Sequence, residues 1–96
     1  MKKKMEKLTA VLVRTYSAGV HFGYLKVRRG KEVELTRSRR IWSWHGANTL
    51  SEIATSGVGA NSRIAVPVDI TLTEAIEIIT CTPAAIANLE SAIWKA

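Results

Sequence analysis

Leu8-Thr-Ala-Val-Leu-Val-Arg-Thr15, Val20-His-Phe-Gly-Tyr-Leu-Lys-Val27 and Val33-Glu-Leu-Thr36 decide the fold. The first run is rich in branched residues and has apolar side chains at both parities, which predicts a strand covered on both faces. Tyr16-Ser17-Ala18-Gly19 is a turn. Beyond it, Val20, Phe22 and Tyr24 alternate with His21, Gly23 and Leu25, so the second run is a strand and the pair a hairpin. Arg28-Arg29-Gly30-Lys31 is the next turn, after which Val33 and Leu35 point one way while Glu32, Glu34 and Thr36 point the other. A three-stranded antiparallel meander follows.

Downstream, Arg40-Ile41-Trp42-Ser43-Trp44 continues or restarts the third strand, and strict alternation would place Arg40, Trp42 and Trp44 on one face. Thr49-Leu50-Ser51-Glu52 has the spacing of a capping box, in which hydroxyl and carboxylate satisfy opposite free amides, and predicts a short helix over residues 50 to 56. Ser56 to Ser62 reads as a loop. Ile64, Val66 and Val68 alternate around Pro67, which suits an edge strand because proline donates no ladder hydrogen bond. Thr71 to Ile79 matches both a capping box and a β-branched strand; its isoleucines favour the strand. Thr82-Pro83 is a helix start, with Ile86, Leu89 and Ile93 at helical spacing along one side. These elements predict an α+β domain: an antiparallel sheet of about five strands with two short helices, spanning residues 8 to 96 behind a flexible basic leader at residues 1 to 7.

A chain of 96 residues has room for one core, with sites at its edge or between copies, and a homo-oligomer, most simply a dimer, is expected. The 47% apolar fraction is too high for a disordered tail, and no apolar run approaches the length of a membrane span. With a single cysteine, Cys81, no disulfide framework is available, and a reducing compartment is the default. No secretion signal is expected, since Leu8 to Val13 is too short and is interrupted by Arg14.

The net charge is +6, divided as +9 over residues 1 to 48 and −3 over residues 49 to 96. Lys2, Lys3 and Lys4 supply half of the total, so a DNA- or RNA-binding reading leans on residues of the leader. Arg28, Arg29, Arg37, Arg39 and Arg40 flank the strands. They form either a basic rim for phosphate oxygens or solvated strand ends.

Catalytic constellations are scarce. His21 and His45 have no metal-type ligand at helical spacing, and no HExxH, CxxC or carboxylate cluster accompanies them, so neither a metal nor a cofactor is expected. Gly57-Val58-Gly59-Ala60 lacks the GK[ST] ending of a phosphate loop. Glu74 and Glu77 would lie on opposite faces of one strand, which leaves paired acid–base work unsupported. The reading is therefore a binding protein and no enzyme.

The informative group is aromatic and basic together. Tyr16 and His21 lie in the first hairpin, while Arg40, Trp42 and Trp44 follow on the third strand; Arg14 precedes the turn. Bases stack on such rings and phosphates pair with such arginines. Ser17, Asn48, Thr49 and Ser51 add the short polar groups that orient a ligand, and a capped helix start can accept an anion. The plain alternative makes the tryptophans core or interface rings, Ser17 a turn residue, Asn48 and Thr49 caps, and His21 a solvent-facing side chain. The expected ligand site comprises Arg14, Tyr16, Ser17, His21, Arg40, Trp42, Trp44, Asn48 and Thr49, with a nucleotide-type small molecule as partner, a nucleic acid as the alternative, and no membrane. An inhibitor of a host protein, acting through an exposed aromatic patch, is a third reading.

Val13-Arg-Thr-Tyr-Ser-Ala-Gly-Val-His-Phe-Gly23, Arg39-Arg-Ile-Trp-Ser-Trp-His-Gly-Ala47 and Leu72-Thr-Glu-Ala-Ile-Glu-Ile-Ile79 together resemble blocks of a family of short tailed-phage proteins. The resemblance implies a protein made in the cytoplasm of an infected bacterium and no particular reaction. Small phage proteins often disarm host defence, and sequestering a nucleotide signal is one route open to a chain without catalytic groups.

Overall fold

The computed structural model describes residues 8–59 and 62–92, so the basic leader and Ile93 lie outside the described residues. The elements are β1 (Thr9–Thr15), β2 (Val20–Arg29), β3 (Glu32–Ser43), α1 (Leu50–Ser56), β4 (Arg63–Ile64), β5 (Val68–Leu72), β6 (Ala75–Thr80) and α2 (Pro83–Ser91). The meander, both helices and the α+β class are as the sequence predicts. The sheet is antiparallel, with β4 and β5 both on β3, then β2, β1 and finally β6.

Six strands replace the expected five because two segments break. The edge strand anticipated around Pro67 is interrupted: β4 ends at Ile64, β5 begins at Val68, and both pair with β3. Proline cannot donate to the ladder, so pairing resumes only beyond it. The expected strand over Thr71 to Ile79 is likewise divided at Thr73-Glu74. Leu72 is the cross-strand partner of Val33 on β3, whereas Ala75 is that of Thr15 on β1. Two linking residues therefore join opposite sides of the sheet, and the sheet must curl to let them.

The curl explains the double-sided burial of β1. Val11 and Val13 pack inside it with Val33, Leu35, Leu72 and Ala75. Ala10 and Leu12, of the other parity, join Phe22 and Ile41 under Ile53 and Ala54 of α1 and Ala85 and Leu89 of α2. Each fully buried Leu, Ile or Phe contributes about 1.5–3 kcal/mol from removal of its surface from water. Curvature is introduced by a bulge at which Phe22 pairs with Arg39 but Tyr24 with Thr36. Arg37 takes the extra position at φ 51°, its N–H and the Thr36 hydroxyl both donating to Asp69 Oδ1. Opposite the bulge a side chain would be crowded, since a Cβ on Gly23 would stand 3.1 Å from Ser38 Cα and 3.2 Å from Leu35 Cβ.

The helices are tied to the sheet and to each other by polar bonds. Thr82 caps α2, its Oγ1 accepting from Ala85 N–H at 3.2 Å, while its own N–H and O–H donate to the Ala54 and Thr55 carbonyls of α1. At the far end of α2, Arg39 is only 6% exposed and donates to the Ala65, Leu89 and Glu90 carbonyls at 2.8, 2.9 and 3.2 Å. α2 carries no basic residue in its last turn, so this guanidinium supplies the cation that a helix C-terminus favours.

Candidate functional site

Side chains from three separate stretches of chain meet in a groove of about 410 Å³ across the β6 side of the sheet. Its floor is Val20, Arg14 and Ile79, on β2, β1 and β6, and Glu77 stands beside Arg14 because the two are cross-strand partners. Trp44 and the segment from Asn48 to Ser51 form the wall. Trp44 reaches the groove because β3 ends at Ser43: the chain leaves the strand, and the partly buried side chain packs against the core cluster that lies under the helices. Asn48 and Thr49 are placed by the helix start. Thr49 Oγ1 accepts from Glu52 N–H at 3.2 Å, and Glu52 Oε1 accepts from the Asn48 N–H. The Glu52 carboxylate thus takes the Asn48 N–H, one of the donors beside the groove.

Arg14 Nη1 lies 4.0 Å from Glu77 Oε1, with both side chains about half exposed. A surface pair of this kind is worth about 0–1 kcal/mol, so an incoming anion can take the guanidinium at little cost. The groove therefore offers one indole ring, one weakly held cation, one carboxylate acceptor and the short polar groups of Asn48, Thr49 and Ser51.

Four of the nine expected site residues, Arg14, Trp44, Asn48 and Thr49, line this groove. The other five are placed elsewhere. Tyr16 is 79% exposed on the β1–β2 turn, and Ser17 donates to Glu74 Oε1 at 2.8 Å. His21, read as solvent-facing in the plain alternative, is 1% exposed; its Nε2 is 2.9 Å from the Ala18 carbonyl, which can only accept, so that nitrogen carries the proton. Burial, and secondarily the nearby Arg40, hold the imidazole below its usual pKa. Arg40 is exposed on β3 as His21's cross-strand neighbour. Trp42 is 54% exposed, with the Arg63 guanidinium 5.5 Å from its ring centroid. The expectation that Arg40, Trp42 and Trp44 share one face fails at Trp44, since alternation does not extend past the strand end.

Sequence reasoning missed Glu77, Val20 and Ile79 as groove residues, because their positions depend on the β1–β6 register. The one available signal was the opposite charge of Arg14 and Glu77, legible only once those strands are paired. Of the expected basic rim one arginine is buried, and two others have partners at the surface. Arg29 Nη1 is 3.3 Å from both Glu32 and Glu34, Arg37 lies 4.0 Å over the Tyr24 ring, and Arg39 is buried. Cys81 is buried beneath the helices, and burial pushes its thiol up to about 11, the wrong direction for a thiolate nucleophile. A second hollow of about 420 Å³, below Gly30 and lined by Arg28, Lys31 and the start of β6, contains no ring. Among the described residues no helix is long and apolar enough to cross a membrane.

A family model described as a domain of unknown function, DUF6948, matches residues 8–89. The chain belongs to this family. The match takes in every strand, α1 and most of α2, and so all the DUF6948 elements that build the groove. No curated protein and no solved structure matches the chain.

Proposed function

We propose that this DUF6948 protein is a non-catalytic binding protein whose groove takes a nucleotide-type small molecule. The observation that carries the reading is the convergence of Arg14, Trp44, Asn48 and Thr49, chosen for their chemistry, on one groove of about 410 Å³. A base stacked on Trp44 would contribute on the order of 1–3 kcal/mol, and a phosphate on Arg14 about as much through charge-assisted hydrogen bonds. Glu77 would accept from an exocyclic amine or a ribose hydroxyl. The volume lies within the range usual for small-molecule sites.

Chemistry on the bound molecule is not part of the proposal, because the groove holds no activated nucleophile and no acid–base pair of matched environment. Its biological setting would be sequestration of a nucleotide signal in an infected bacterium, the role the phage resemblance suggests. A polynucleotide is less well served. Arg39 is buried, which removes one cation from the phosphate-tracking surface, and Arg29 and Arg37 already have partners on that surface.

Mass spectrometry of small molecules released on heating from purified, nuclease-treated protein tests the reading. A nucleotide in stoichiometric amount is expected. Protein that releases none, and shows no heat on titration with a panel of nucleoside mono- and diphosphates, would refute it.

A further inference from the structure

Glu77 lines both the groove and the second hollow, of about 420 Å³, between the β2–β3 turn and β6. That hollow is built from Arg28, Gly30 and Lys31 of the turn and from residues 75 to 78. Its two walls are tied together, since Ala75 N–H donates to the Lys31 carbonyl at 3.0 Å. Ala75 is also buried in the inner cluster with Val33, which is the cross-strand partner of Arg28. The turn is therefore seated on the start of β6.

Its charges are divided. Arg29 is paired with Glu32 and Glu34, each at 3.3 Å. The Arg28 Nε donates instead to the Gly30 carbonyl at 3.1 Å, which leaves its two Nη groups for another acceptor. Among the described residues no carboxylate lies within 4.0 Å of the Arg28 guanidinium or the Lys31 ammonium. A backbone donor joins these cations. Cys81 N–H donates to Ala10 C=O on β1 at 3.0 Å and the register from Thr80 to Glu77 is unbroken, so by antiparallel alternation the Ile78 N–H points away from β1. Ile78 lines the hollow on that side. Two cations and an amide N–H suit a phosphate, and the hollow has no ring on which a base could stack.

We propose that the hollow is a second phosphate subsite and that the bound molecule is a nucleotide carrying two separated phosphate groups, a reading that rests on the nucleotide-binding groove above. The base on Trp44 and one phosphate on Arg14 occupy the groove; the ribose lies at Glu77, whose carboxylate accepts from a hydroxyl; the second phosphate takes Arg28, Lys31 and the Ile78 N–H. Glu77 repels a phosphate placed directly on it, which favours two groups set apart. Arg14 reaches across to within 4.0 Å of Glu77 Oε1, so the step from its guanidinium to the space beyond β6 is on the order of one strand spacing, about 5 Å. A ribose phosphorylated at both its 3′ and 5′ positions bridges such a step.

Calorimetric titration of the whole chain with the 5′-monophosphates and 3′,5′-bisphosphates of adenosine, guanosine, cytidine and uridine tests the subsite. For the preferred base the bisphosphate is expected to bind about 10-fold or more tightly than the monophosphate, and to be alone in shifting the Gly30, Lys31 and Ile78 amide resonances. In the double variant Arg28→Gln with Lys31→Gln, shown to be folded by circular dichroism, the two nucleotides should bind within about 2-fold of each other. A bisphosphate advantage that survives in the double variant overturns the proposal. Equal affinity of the two nucleotides for the wild type overturns it as well, and so do amide shifts confined to the groove. These results leave the groove reading standing, whereas a chain that binds none of the nucleotides fails both.

Discussion

Gly57→Ala should be among the most damaging conservative changes in this protein. Gly57 ends α1 with φ 85° and ψ −158°, a backbone region open essentially to glycine, and occupying it with alanine costs about 1–3 kcal/mol. Space compounds the strain. A Cβ there would stand 2.2 Å from Asn88 Cγ and Oδ1 and 2.5 Å from Asn88 Cβ, so Asn88 must move. Asn88 clamps the neighbouring residue, accepting from Val58 N–H at 2.9 Å and donating to the Val58 carbonyl at 3.0 Å. Losing both bonds adds about 1–3 kcal/mol. The sum, about 2–6 kcal/mol, lowers Tm by about 10 °C or more in a domain of this size. Denaturant unfolding of Gly57→Ala, Asn88→Gly and the double variant forms a cycle. Asn88→Gly removes the three atoms nearest the new methyl group, so the double variant should be more stable than additivity predicts by about 1–3 kcal/mol. An additive cycle, or a Gly57→Ala loss below about 1 kcal/mol, would show that the α1–α2 clasp is not what fixes Gly57.

Three further outcomes follow from the same geometry. Arg39→Met keeps the apolar stem but strands the Leu89 and Ala65 carbonyls, and should cost about 2–4 kcal/mol in a chemical melt without changing ligand affinity. Because burial depresses the His21 pKa, the unfolded chain binds the proton more tightly; stability should fall as pH drops below about 6.5, and His21→Gln should flatten that part of a Tm-against-pH curve. Trp42→Ala should cost only about 1–2 kcal/mol, for a half-exposed ring with a guanidinium nearby, against about 3–5 kcal/mol for Phe22→Ala, which thermal melts of the two variants would compare directly.

Local chemistry made much of the fold legible. Gly30-Lys31 and the alternation on either side specify the β2–β3 hairpin, and Thr49 and Thr82 mark helix starts that the hydroxyl bonds realise. The mixed parity of Leu8 to Thr15 signalled a strand buried on both sides, though not that the second cover is the sheet's own curl. What stayed hidden depends on long-range register. Nothing near Thr73-Glu74 says that Leu72 belongs beside β3 and Ala75 beside β1. The groove was legible in part for the same reason. Arg14, Trp44, Asn48 and Thr49 could be chosen by residue type, but Glu77 joins them through β1–β6 pairing, and Trp42 drops out because the strand ends one residue before Trp44. His21 illustrates the converse, since a polar ring at an alternating position reads as exposed until the curl buries it.

The central claim is that Arg14 and Trp44 hold a nucleotide in the groove. Calorimetric titration of one nucleotide, the species released from the protein, into wild type, Trp44→Ala, Arg14→Gln and Trp42→Ala tests it most directly, with circular dichroism to establish that each variant is folded. Loss of about 1–3 kcal/mol, some 5- to 150-fold in Kd, is predicted for each of the two groove variants, and less than about 2-fold for Trp42→Ala. Equal affinity in all four proteins, or a loss confined to Trp42→Ala, would contradict the account.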